Sequence, residues 1–191
     1  MSETIKQLNW VDIFVLILLF RICYIAFVKG LAIEFFKLLG TVFALYLAFH
    51  YYSTWARTAS ERLGLQSVPL SSLEFISFIA LAAIGYVMFI FARLGVGKFM
   101  QTETVPLLDK WGGLILGIGR GVVLLAMFMF VFAASSFDYL KTSVEKSHLG
   151  GRIFYIGPSM YAAMWNGLLS KFAPQENLNK NVEEINKSFK P

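Results

Sequence analysis

Apolar residues fall along this chain in four nearly unbroken blocks, at residues 11–28, 31–49, 75–92 and 111–134, and polar residues gather between them. A helix needs about 20 apolar residues to cross a hydrocarbon core of about 30 Å, and each block approaches or exceeds that length. The pattern predicts an all-α polytopic membrane protein with four transmembrane helices. Trp10 stands just ahead of the first block, where an interfacial anchor belongs. Only Lys29-Gly30 separates the first two blocks, which makes them antiparallel neighbours around a corner where Gly30 can take a positive φ. Residues 50–70 read as a loop, with an aromatic belt of Tyr51, Tyr52 and Trp55, the charges Arg57, Glu61 and Arg62, and Pro69 at its close. Ser71 and Glu74 have the spacing of a capping box before the third block. The third block ends at Arg93, and Gly95, Gly97 and Pro106 punctuate the next loop, which also carries Lys98, Glu103, Asp109 and Lys110. Four crossings place both termini on one side.

The remainder is different in kind. Within residues 135–173, Pro158-Ser159 reads as a helix start, and Met160, Tyr161, Met164, Trp165, Leu168, Leu169 and Phe172 then recur on one helical face. That run is too short to span, so it predicts an amphipathic helix on the membrane surface or docked on the bundle. Residues 174–191 are polar and rich in Asn, Glu and Lys, and read as a mobile tail. Composition agrees with the block pattern: 57% hydrophobic and 15% charged residues, where soluble domains carry about 25% charged. This excludes a disordered chain, a disulfide scaffold and an ordinary soluble enzyme. Cys23 is the only cysteine, so no internal disulfide forms. The net charge of +5 comes from basic residues that flank or enter the apolar blocks, which suits orientation and anionic headgroups rather than nucleic acid. Lys29, Arg93, Lys98 and Lys110, with Arg21, Lys37 and Arg120 close behind, lie on the side of the odd-numbered loops; Lys6, Arg57, Arg62, Lys141 and Lys146 lie opposite. The balance leans toward cytoplasmic odd loops and outward-facing termini.

Polar residues inside the blocks carry the most information, because a charge at a helix centre costs about 2.5–3.5 kcal/mol on insertion scales. Asp12, Arg21, Glu34, Lys37 and Arg120 are such residues. Asp12 suits a helix N-terminus, where the dipole favours a carboxylate. Gly30, Glu34, Lys37, Thr41, Ala44 and Ala48 form a small and polar stripe along the second helix. Gly113, Gly117 and Gly121 form a small-residue ridge on the fourth, with Arg120 beside it. Arg21, Glu34, Lys37 and Arg120 all fall in the half of the bilayer nearer the odd loops, so the spacing predicts Glu34 as the shared counter-ion of a basic cluster. Such a cluster serves either as a packing seam or as one wall of a polar pathway. Catalytic patterns are missing: His50 and His148 lack metal-ligand spacing, residues 117–121 are not a dinucleotide fingerprint, and Phe99 follows Gly97-Lys98 where a phosphate loop needs Ser or Thr. The sequence therefore predicts no enzyme, cofactor, metal or small-molecule substrate. The expected partners are the lipid bilayer, further copies of the chain, or export and envelope proteins. Two functions compete: a non-enzymatic contact protein, and an oligomeric channel or transporter subunit.

Two stretches resemble one known family. Trp10-Val11-Asp12 leading into an apolar helix, then Lys29-Gly30, Glu34 and His50-Tyr51-Tyr52, resembles the start of the colicin V production protein family. Leu108-Asp109-Lys110-Trp111-Gly112-Gly113, followed by Gly117 and Arg120-Gly121, resembles its second signature. The resemblance covers roughly residues 9–170 and implies a bacterial inner-membrane protein with about four spans. It further implies a role in colicin V production or export and in envelope homeostasis, without catalytic activity or a defined ligand. Asp12, Gly30, Glu34, Asp109, Gly113, Gly117, Arg120 and Gly121 are the matching positions.

Overall fold

The structure is a computed structural model that describes residues 9–97, 106–173 and 175–189. Helices make up the whole of its regular structure among those residues: α1 (Trp10–Lys29), α2 (Leu31–Arg62), α3 (Leu70–Gly97), α4 (Pro106–Ala133), α5 (Asp138–Glu145), α6 (His148–Phe154), α7 (Ile156–Met164), a π-helical turn (Trp165–Leu169), α8 (Ser170–Phe172) and α9 (Lys180–Ser188). The first four are long and apolar enough to cross a membrane.

Those four helices stand in a row rather than a closed ring. α1 packs on α4, α4 on α2, and α2 on α3, which leaves α1 and α3 at the two edges. Burial follows the order: 56% of the apolar stretch of α4 is buried, against 28% for α1 and 22% for α3. The described outer faces of the edge helices are mostly apolar, as lipid requires, with Arg21 a charged exception midway along α1. Trp10 at one end of α1 stacks on Tyr139, and Phe27 at the other meets Trp111 edge to face. About 26 Å of helix separates Trp10 from Phe27, close to the thickness of a hydrocarbon core.

The loop expected over residues 50–70 is largely helical. α2 runs unbroken to Arg62 because no Gly or Pro stands between Phe49 and Gly64, whose φ of 65° follows the helix end. Its inner face also continues, with Leu45, Ala48, Phe49, Tyr52 and Ala56 buried at helical spacing. At about 48 Å, α2 is much longer than one crossing needs. Its last turns project past the membrane, and at that end of the bundle α5 and α6 pack on α4 and α1 while α7 packs on α4 and α2. Phe49 and Phe130 (4.4 Å between ring centroids) and the Phe154–Phe189 stack (3.9 Å) are part of the aromatic core there.

Two further expectations change, and a third is narrowed to one of its two alternatives. Ser71 and Glu74 form no capping box: α3 starts at Leu70 on the Pro69 carbonyl, Ser71 bonds Ser136, and Glu74 accepts from Asn181. The tail expected to be mobile forms α9, held by buried Val182 and Phe189. The aromatic run over α7 and the π-helical turn docks on the bundle through Tyr161 and Trp165, while Leu168 and Phe172 stay exposed.

Candidate functional site

The first turn of α2 carries Glu34, which is wholly buried. Its two carboxylate oxygens go to two cations. Lys37, one turn on, donates from Nζ to Oε1, and Arg120 of α4 donates from Nε to Oε2 at 2.9 Å. Thr41 donates to the Lys37 carbonyl at 2.9 Å and stays within the stripe. One carboxylate thus joins α2 to α4, and the group keeps one surplus positive charge. Lys37 also borders a cleft of about 90 Å³ between α2 and α3, lined by Phe36, Gly40, Tyr86, Phe89 and Ile90. With both oxygens engaged, Glu34 offers no lone base to a substrate; the arrangement ties helices together.

The glycines lie on the other side of α4, against α1. A Cβ on Gly117 would come within 2.2 Å of the Ala26 Cβ, and one on Gly121 within 2.9 Å of Leu19 Cδ1. At Gly113 it would meet the Ala26 carbonyl oxygen at 2.8 Å. The ridge therefore lets two backbones approach as closely as side chains permit. The corner is closed by Gly30, with φ of 83°, whose missing Cβ leaves room for the Asp109 carboxylate. Asp109 accepts the Leu31 N–H at 2.8 Å and so caps the start of α2 from the first turn of α4. α4 presents glycine to α1 and arginine to α2 from adjacent positions.

Asp12 belongs to a separate group at the opposite end of α1. It is fully buried and accepts from the Ser147 hydroxyl at 2.7 Å, the Leu149 N–H at 2.9 Å and the Asn9 N–H at 3.1 Å. It pins the start of α1 to the start of α6, a contact that spacing along α1 alone cannot show. Arg21 does not join the Glu34 group. It is exposed on the outer face of α1 and forms no ion pair among the described residues. Depth along a helix was legible in the sequence, but which side of a uniformly apolar α1 faces inward was not. Lys98 and Glu103 lie outside the described residues.

One further cluster went unnoticed in the sequence. His50 bonds Tyr161 through Nδ1 and Glu176 through Nε2, both at 2.8 Å, and stacks on Trp165. The Asn179 N–H donates to the Tyr161 hydroxyl at 3.1 Å, and the Asn179 side chain donates to the Phe49 carbonyl at 2.8 Å. Burial pushes the Tyr161 hydroxyl up to about 12, so it remains a neutral O–H. The group is a clasp for the segment leading into α9. His50 lies more than 100 residues from Tyr161, Glu176 and Asn179, and no local spacing links them.

The sequence model of the family described as Colicin V production protein matches residues 11–172, most of the chain and all four spans. No curated protein and no solved structure matches the chain.

Proposed function

The chain belongs to the colicin V production protein family, and from that premise we propose that it is a non-enzymatic component of the bacterial inner membrane. In this reading it supports bacteriocin production or export, or envelope homeostasis, through contacts with other proteins in the bilayer. The observation that carries it is the use of ionic groups inside the spans. Glu34, Lys37, Arg120 and Asp109 all serve to hold α2 and α4 in place. The test is a chromosomal deletion in a bacteriocin-producing strain, complemented with the full chain. Loss of secreted toxin activity or of resistance to envelope stress, restored by the wild-type chain, supports the reading. Normal secretion together with normal stress resistance in the deletion strain contradicts it.

A second reading, an oligomeric channel or transporter subunit, draws on the α2–α3 cleft that Lys37 borders. A row of four helices encloses a pore only with further copies. Ion flux into liposomes carrying the wild-type chain, reduced in an Arg120→Ala variant, would favour this second reading over the first.

A further inference from the structure

The geometry points to the outer face of α1 around Arg21 as a docking surface for a transmembrane helix of another protein, one that carries an Asp or Glu at mid-depth. Arg21 is the twelfth of the twenty residues of α1, about 2 Å from the helix midpoint. Next to it, Leu19 and Ile22 pack on Gly121, so Arg21 stands at the level of Arg120. Lys29, at the membrane end, is eight residues or about 12 Å further on, more than an arginine side chain reaches. Ile17, Phe20, Tyr24 and Val28 share this outer side, and Tyr24 adds a second outward polar group one turn from Arg21. Charged side chains inside a bilayer almost always face protein or a water-filled cavity. Among the described residues, the outward side chains at corresponding depth on α2 and α3 are apolar: Phe35, Leu39 and Phe43 on one, Ile79, Ile84 and Val87 on the other.

Among the described residues, no free carboxylate lies at the depth of Arg21 to supply a counter-charge. Among the described residues, the carboxylates of the spans are already engaged: Glu34 by two cations, Asp109 by the Leu31 N–H, Asp12 by three donors, and Glu74 by Asn181. Glu61, also exposed, lies near the end of α2 that projects past the membrane. A second copy does not meet the need either, because a two-fold axis through this face sets Arg21 against Arg21. A foreign helix with a carboxylate satisfies Arg21 and offers Tyr24 an acceptor. This names the partner chemistry for the contact role proposed above and rests on that reading for the bilayer setting.

The experiment places a photoreactive benzoylphenylalanine at Ile17, on the Arg21 side, or at Val87, on the outer face of α3, in the full-length chain in native membranes. Irradiation at Ile17 is expected to yield a covalent product with one membrane protein, whose joined segment is a transmembrane helix containing Asp or Glu. The yield falls at least tenfold in Arg21→Leu, persists in Arg21→Lys, and the Val87 site gives no such product. Arg21→Gln replaces the leucine variant if the latter does not accumulate. Products with phospholipid only, products with a second copy only, or a protein product that is unchanged in Arg21→Leu and Arg21→Gln overturn the inference. Toxin secretion by the deletion strain is scored separately, so the contact role stands or falls independently of what Ile17 captures.

Discussion

Glu34 is the residue on which the membrane interior depends most, because its one negative charge answers two positive ones. Removing one partner of a buried ion pair costs about 3–5 kcal/mol, since the remaining charge stays buried without compensation. Glu34→Gln is therefore expected to lower folded protein in membranes severalfold, while Glu61→Gln, on the exposed end of α2, leaves it within about 0.5 kcal/mol of wild type. Quantitative blotting of membrane fractions checks this, and equal levels of the two variants contradict it. Gly117→Val drives a side chain into Ala26 and should destabilise by about 1–3 kcal/mol, read as a lower thermal midpoint in detergent; Gly119→Val, which meets open space, serves as its control. The pairing of Glu34 with Lys37 and Arg120 was legible in the sequence because counting residues from a helix end gives depth, and groups at one depth can meet. Arg21 has the matching depth but the wrong side, and hydropathy cannot tell the sides of α1 apart when nearly every residue is apolar.

At the scale of elements, the boundaries show where sequence signals compete. Aromatic and charged residues after Phe49 suggested an interface followed by a loop, yet the helix ends only at the first backbone that breaks it, near Gly64. The four spans were legible because continuous apolar runs need no partner to be recognised. α9 was not, since its hold on the protein rests on two apolar anchors, Val182 and Phe189, and on the distant clasp of His50, Tyr161, Glu176 and Asn179. A chain ending at Ala173 should lose roughly 3 kcal/mol, from two buried side chains at about 1.5–3 kcal/mol each less the entropy of ordering the tail. Thermal unfolding in detergent measures it, and an unchanged midpoint would show that α9 contributes nothing to the fold.

The whole molecule combines a thin row of four helices with an extramembrane knot built from the end of α2 and from α5 to α9. The row exposes two largely apolar edges, one of them interrupted by Arg21, and the knot gathers the N-terminal end of α1, the start of α3 and the C-terminal helices on one side. The opposite end holds the Gly30 corner and Lys110 over the Phe27 ring. Single cysteines introduced by Gln66→Cys, Lys146→Cys and Lys29→Cys in a Cys23→Ser background, probed with a membrane-impermeant maleimide, test this arrangement most directly. Gln66→Cys and Lys146→Cys are expected to react from one face of the membrane and Lys29→Cys only from the other. Labelling of all three from the same face would contradict it.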